Sequence, residues 1–309
     1  MKKFLRVLII FLVPVLILVA VTEILLRKIP NDYLYKRNYL DQHSKSVKVL
    51  FLGNSHVYYG INPEYIHSQS FNAAYVSQSF NYDMYILKRY EDKWDSLQYI
   101  VLALDYPSLY GRLEKGTEAW RIKNYTIYYD INSSINAADQ TEVCNNNLKM
   151  VFTRLSNYYI KKTSAITSSA LGWGNDYTAA HKKDLTVTGR AAAQRYHAYH
   201  WLSENMGSLR SITEFAKAKN ISLVFFTPPG YTTYVENMDK GKLNEAIHEA
   251  IGVTGTYENT IYLNWLNDPS FVAGDYYDAD HMNEIGAKKL SLKMDSVLTS
   301  LNNRRLNNK

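Results

Sequence analysis

Residues 47–309 are predicted to form an α/β domain, a mostly parallel sheet covered by helices on both faces. Three observations carry that prediction. Short apolar runs of strand length recur at Val47–Leu52, Ser70–Ala74, Tyr99–Leu104, Ile221–Phe226 and Thr260–Leu263. Segments with apolar residues at helical spacing separate them, as at Met84, Leu87, Tyr90 and Trp94. Chemically distinctive residues follow the first and last runs directly. Strands alternating with helices signify parallel βαβ connections, and such a sheet buries both of its faces.

The elements follow in order. Lys2, Lys3 and Arg6 precede a run from Val7 to Leu26 that is interrupted only by Pro14, Thr22 and Glu23. A membrane-crossing helix needs about 20 mostly apolar residues, and this run reaches that length. Proline is tolerated in such helices, and Glu23 falls near the far interface, where a charge costs less. Ala20-Val21-Thr22 is a poor signal-peptidase site, so residues 1–28 read as an uncleaved signal anchor with its helix over 7–26. The basic N-terminus places the following chain on the extracytoplasmic side of the cell membrane. Residues 29–46 read as a juxtamembrane segment.

Val47–Leu52 is the first strand. Asn62 and Pro63 open a helical turn over Pro63–Ser68, with Asn62 as cap and Pro63 at the first helical position. Ser70–Ala74 is the second strand, Asp83–Trp94 a helix, and Tyr99–Leu104 the third strand. Residues 106–188 show no strand rhythm and read as an insertion of helices or substrate loops. Arg190–Lys219 reads as one long helix returning to the core. Ile221–Phe226, Lys242–Ile251, Thr260–Leu263 and Asn283–Leu301 then give strand, helix, strand and closing helix.

Composition excludes several classes. The single Cys144 forms no internal disulfide and reads as a partly buried structural residue. The net charge of +6 includes the anchor flanks and the C-terminal Arg304, Arg305 and Lys309, and no basic stripe accompanies a nucleic-acid motif, so no nucleic-acid partner is expected. His197 and His200 are three apart and His181 is isolated. With no Cys pair and no His-x-x-x-His, neither a metal nor another cofactor is expected. Tyrosine is unusually frequent, with 27 copies. Such rings serve as sugar platforms, but equally as core and interface material.

Two motifs carry the chemistry. Val49-Leu50-Phe51-Leu52-Gly53-Asn54-Ser55-His56 is a strand running into a tight turn that delivers a serine. Asp278-Ala279-Asp280-His281-Met282-Asn283-Glu284-Ile285-Gly286-Ala287 presents an aspartate and a histidine three apart, just before a helix. In a parallel sheet both would lie at carboxyl ends of strands, where functional groups gather. Ser55 is then a candidate nucleophile, His281 its base and Asp278 the carboxylate that fixes the imidazole. His56 adjoins the serine too closely to take its proton and reads as a packing or turn residue. Asp280 is a competing carboxylate, poorly placed to orient the imidazole next to it, and Asp275 is a weaker competitor.

Gly53-Asn54-Ser55 after a first strand, with Asp278-x-x-His281-Met-Asn-x-x-Gly-Ala at the end of the last, resembles the SGNH (GDSL-type) hydrolases. The resemblance runs in order through nearly all of residues 47–301, but its sharp motifs cover two short blocks. It implies a three-layer α/β/α, SGNH/flavodoxin-like fold, with Ser55 as nucleophile, His281 as base, Asp278 as orienting carboxylate and the Ser55 N–H as one oxyanion donor. The second family block resembles Asn72–Ser77, with Ser77 where the family has an oxyanion glycine. The third, usually Gly-x-Asn-Asp, is missing: the third strand runs into Asp105-Tyr106-Pro107-Ser108. Gly172-Trp173-Gly174-Asn175-Asp176 has one residue too many and reads first as a glycine-rich turn, with Asn175 a candidate third donor. A membrane-anchored domain of this kind implies acyl esterase or acyltransferase work on envelope carbohydrate, alongside the membrane and envelope-biosynthesis proteins as partners. A weak or inactive binding module and a membrane-surface lipase or thioesterase are the alternatives.

Overall fold

In the computed structural model, residues 1–131, 136–197, 200–255 and 257–307 are described. Contacts divide the chain into two units, Met1–Asn38 with Thr117–Ile166 and Tyr39–Gly116 with Thr167–Lys309. The central stretch of the insertion expected at 106–188 thus belongs with the N-terminal segment, and its two ends belong with the sheet.

The larger unit holds five parallel strands in the order β2-β1-β3-β4-β5. These are β1 (Val49–Leu52), β2 (Ser70–Asn72), β3 (Tyr99–Ala103), β4 (Ser222–Thr227) and β5 (Thr260–Asn264). Each lies within a residue or two of an apolar run seen in the sequence. β2 is the shortest of the five, and the Asn72 side chain at its end donates to the Val57 and Ile61 carbonyls at 2.9 and 2.8 Å. The register pairs Val49 with Tyr99 and Tyr99 with Ser222. Central strands buried on both faces must be apolar throughout, which is why β1 reads Val-Leu-Phe-Leu without alternation.

Helices cover both faces. Val49, Phe51, Val101, Val224 and Phe226 share one core with Leu290, Met294 and Leu298 of α13 (Glu284–Asn307) and Val57 of α3 (Ser55–Gly60). The alternate residues Leu50, Ile100, Leu223 and Phe225 are fully buried on the opposite face. There α10 (Leu202–Ala218) packs on β4, between α4 (Phe80–Arg89) and α12 (Lys240–Thr254). This is a three-layer α/β/α fold. α5 (Tyr106–Tyr110), α9 (Leu185–His197) and α11 (Thr232–Asn237) lie among the strand connections.

The helix expected at Asp83–Trp94 begins and ends earlier, as α4, and two further features of the larger unit depart from expectation. The single helix expected at Arg190–Lys219 is two, α9 and α10, because Trp201 leaves helical geometry and donates its N–H to the Tyr110 carbonyl at 3.0 Å. The segment ahead of α13 holds an unforeseen antiparallel hairpin, β6 (Tyr276–Asp278) with β7 (His281–Met282). It is too short to show a strand period.

The smaller unit begins with α1 (Lys2–Arg27), which is long and apolar enough to cross a membrane. The first part of α2 (Asp32–His43) follows, then α6 (Ile122–Tyr129), α7 (Glu142–Asn145), α8 (Leu148–Leu155) and a π-helical turn, Ser156–Ile160. Residues 1–21 are exposed throughout, and partly buried positions begin at Thr22. Glu23 is satisfied by protein: it pairs with Arg27 at 2.6 Å and accepts the Glu142 and Val143 N–H groups at 3.0 and 2.9 Å, at the start of α7. Glu142 is itself buried among Lys123, Arg154 and the Tyr128 hydroxyl. Burial works to raise its carboxyl, but Arg154 and Lys123 outweigh that and bring it down to about 2. Cys144, expected to be partly buried, is exposed, because Glu142 takes the inward position on this short helix.

Gly286 in the first turn of α13 and Gly252 in α12 give a paired test of the packing. A Cβ at Gly286 would stand 2.1 Å from the Asp275 carbonyl oxygen and 2.6 Å from the Met282 sulfur, whereas one at Gly252 would meet nothing within 4 Å. Gly286→Ala should destabilise by about 1–3 kcal/mol, as overpacking typically does. Gly252→Ala should stabilise by up to about 1 kcal/mol through helix propensity. Thermal melts that lowered both midpoints equally would contradict this.

Candidate active site

The strand order reverses direction between β1 and β3, the place where parallel sheets open a crevice at their carboxyl ends. The chain leaves β1 through Gly53, whose φ of +115° an L side chain rarely adopts. Asn54 then caps α3, its side-chain oxygen accepting the His56 N–H at 2.9 Å. Ser55 is the first residue of that helix. Two contacts fix the turn: the Gly53 N–H donates to Asp83 Oδ1 at 2.9 Å, and its carbonyl accepts the Tyr75 N–H at 3.0 Å.

The β6–β7 hairpin supplies the other half. Asp278 Oδ1 accepts the His281 backbone N–H at 2.9 Å and lies 2.8 Å from the imidazole Nδ1. The imidazole Nε2 is 2.8 Å from Ser55 Oγ. In the neutral ring the Nδ1 proton goes to Asp278, leaving the Nε2 lone pair to accept the serine hydroxyl. Ser55, His281 and Asp278 are therefore brought into one hydrogen-bonded line.

A second set of buried groups lies behind this line, and sequence reasoning missed most of it. His56 Nδ1 is 2.7 Å from Asp105 Oδ2, and Asp105 Oδ1 accepts the Asn54 amide at 2.9 Å and the Ser108 N–H at 2.8 Å. Asp280 stands 3.5 Å from both His56 Nε2 and His281 Nδ1, and accepts the Tyr196 hydroxyl at 2.7 Å. His56 is thus hydrogen-bonded to a buried carboxylate, and it is His281 that faces Ser55. Asp278 is the nearer partner of His281, but Asp280 reaches the same nitrogen. The available signal for Asp105 was its position at the end of β3; for Tyr196, which enters from α9, there was none.

Electrostatics follow from that packing. Burial alone would lower the His281 imidazole, but the Asp278 and Asp280 carboxylates raise it well above the ordinary histidine range. Burial likewise opposes the charge on His56, and Asp105 and Asp280 outweigh it. Asp105 and Asp280 would rise by burial; His56 lowers the first, and His281 with His56 holds the second well below the usual carboxylate range. His56, Asp280 and His281 also have potential ligand atoms within 4.8 Å of one another, a spacing a metal ion could use. The His281 nitrogen 3.5 Å from Asp280 is the one that already faces Asp278, so an ion between that nitrogen and Asp280 would displace the Asp278 hydrogen bond.

The expected oxyanion donors are placed differently from one another. The Ser55 N–H, at the open end of α3, makes no intrahelical bond. Ser77 adopts φ +58° in the Tyr75–Gln78 turn, the backbone region glycine favours, and the Gln78 N–H closes the turn on the Tyr75 carbonyl. Asn175 is exposed and its N–H is bound to the Thr167 carbonyl. Its segment is a packed strap: Gly172 lies against the Asn72 carbonyl and Gly174 against the Tyr58 ring. Tyr177 in the same strap stacks on Tyr59 and Tyr277 at 3.7 and 3.8 Å and meets the His281 ring edge-on at 5.5 Å. Lys183 covers Tyr277 at 4.9 Å. These rings support the imidazole with their faces already occupied.

Asp83 grips the serine turn at a cost. Its Oδ1 accepts Gly53 N–H and the Gln78 amide, while Oδ2 has no partner among the described residues. Burial pushes its carboxyl up to about 7, against the smaller opposing effect of those two donors. A carboxyl raised in the fold keeps its proton where the unfolded chain has lost it, so stability falls as pH climbs from about 4 toward about 7. Asp83→Asn keeps the acceptor and removes that loss. Its midpoint should match wild type near pH 4 and exceed it near pH 8; a gap independent of pH would show that Asp83 is not the titrating group.

No protein-family model matches the sequence, and no curated protein matches it. Among solved structures, the chain is similar to a protein from Streptococcus pneumonia named for platelet activating factor, at 10% identity and TM-score 0.44, covering 86% of this chain and 91% of that one. It is also similar to a GDSL-like lipase from Bacteroides thetaiotaomicron VPI-5482, at 12% identity and TM-score 0.39, covering 87% and 99%. The fold class rests on the strand order and register given above.

Proposed function

We propose that the chain is a serine-dependent acyl esterase or O-acyltransferase acting on cell-envelope carbohydrate. The observation that carries this reading is the line Ser55 Oγ to His281 Nε2 and His281 Nδ1 to Asp278 Oδ1, each 2.8 Å. Ser55 attacks the acyl carbonyl carbon while its proton passes to His281 Nε2. Asp278 steadies the imidazolium, and the Ser55 N–H supports the oxyanion. Collapse expels the leaving alcohol, which takes the proton from His281, and leaves the acyl group on Ser55. Water or a sugar hydroxyl, deprotonated by His281, then attacks the ester and restores the serine. Both outcomes use the same three side chains.

The membrane and carbohydrate parts of this reading draw on α1, an exposed apolar helix that would hold the domain at an envelope surface. The envelope side, and envelope-biosynthesis proteins as partners, follow from the same anchor. A second reading has its own observation: β3 runs into Asp105-Tyr106-Pro107-Ser108, which offers no asparagine where the resembled family has a donor. Loss of one such donor typically costs about 10²–10³ in turnover, so a carbohydrate-binding module with residual chemistry is the alternative.

Fluorophosphonate labelling of the full chain in detergent separates the two. Wild type should label, and Ser55→Ala and His281→Ala should abolish labelling while melting like wild type. A folded wild-type protein that stays unlabelled would favour the binding module. Because Asp280 helps to raise His281, a rate that needs the neutral imidazole should rise with pH beyond neutrality. Asp280→Asn should shift that rising limb to lower pH in a chromogenic ester assay; an unmoved limb would remove Asp280 from the control of the base.

A further inference from the structure

Within the smaller unit, α8 and the π-helical turn expose large apolar side chains beside the end of α1. Leu148 is 75% exposed, Phe152 70% and Ile160 76%. Leu148 and Phe152 are four apart and share one helical face. The opposite side of the same segment is anchored. Val151 is buried with Leu26 and Ile29, with Leu155, Tyr158 and Tyr159 packed around them, and the Tyr159 hydroxyl donates to the Leu25 carbonyl at 2.9 Å. α7, just ahead, is capped by Glu23.

The level of these contacts along α1 identifies what covers the exposed face. From Lys3 to Arg27 the helix rises roughly 36 Å, and a bilayer's hydrocarbon occupies about 30 Å of that. Centred between those basic flanks, the hydrocarbon ends within a few residues of Glu23. α8 and the turn after it pack against Leu25 and Leu26 at the end of α1 and against Ile29 just after it, which places the segment at the height of the lipid headgroups. Lys149, Lys161 and Lys162 are exposed around the apolar residues, as expected of cations that reach toward lipid phosphates. Water on one side and protein on the other leaves three large apolar side chains unexplained; the acyl–headgroup boundary explains them.

We infer that α8 and the turn after it lie in the membrane interface, with Leu148, Phe152 and Ile160 inserted among the lipid chains as a second point of attachment beside α1. The inference rests on α1 crossing the bilayer, and its test distinguishes failure of that premise from failure of the inference. The full chain carrying Cys144→Ser, with Phe152→Cys or Leu16→Cys labelled by an environment-sensitive fluorophore, is reconstituted in vesicles of phosphatidylcholine and phosphatidylglycerol. Spin-labelled lipids then report depth. At position 152 the emission should shift to the blue and be quenched more strongly by a label high on the acyl chain than by one near its end. Position 16 should show the reverse order. Water-like, unquenched emission at 152 with quenching at 16 would overturn the interfacial helix and leave the membrane span standing. Unquenched emission at both would overturn the span, and the inference with it.

Discussion

One imidazole sets the terms for the larger unit. His281 must face Ser55 with one nitrogen and Asp278 with the other, and both bonds are 2.8 Å. A ring held between its own hairpin and a serine 226 residues away in sequence requires the sheet, the serine turn and the β6–β7 hairpin to be placed to within fractions of an ångström. Much of the surrounding structure meets that demand. Asp83 and Tyr75 fix the turn, Asn283 fastens the hairpin to Gly274 and Tyr276, and Tyr59 and Tyr177 set their edges against the ring.

The smaller unit has an analogous constraint, a carboxylate within the apolar run of α1. A charge there is costly unless it is paired. Glu23 is matched by Arg27 and by two backbone N–H groups of α7, so the side chain that most weakens the run as a membrane helix also fastens the unit to it. Glu142 continues the same logic one step outward, with Lys123 and Arg154 balancing a buried carboxylate.

The legibility of these features followed their range in sequence. Each strand of the sheet could be read because a buried parallel strand must be a continuous apolar run, a local signal. Ser55 and the Asp278–His281 pair were visible because strand ends concentrate functional groups and a three-residue spacing spans one turn. The break between α9 and α10 depends on Trp201 finding the Tyr110 carbonyl, a contact with no local signature. The same holds for His56. Next to the serine it looked like turn material, and only the fold brings Asp105 and Asp280 to it. The tyrosines were the most ambiguous residues: Tyr125, Tyr128 and Tyr129 are buried core, while Tyr177 and Tyr59 support the imidazole.

The charge balance behind the serine favours one half of the chemistry over the other. Three carboxylates, Asp105, Asp278 and Asp280, converge on two imidazoles, so the cluster stays net negative even with both rings protonated. Each added proton therefore relieves repulsion, which is why His281 and His56 rise despite burial. In the proposed reaction the neutral form of such a base would accept the serine proton readily. A developing oxyanion would be helped less, because it would meet that residual negative charge. The His56–Asp105 pair softens this: Asp105 raises His56 and His56 lowers Asp105, so a protonated His56 offsets the Asp105 charge. In the proposed reaction, proton transfer would thus be well provided for, and stabilisation of the tetrahedral intermediate would rest on backbone N–H groups near Ser55.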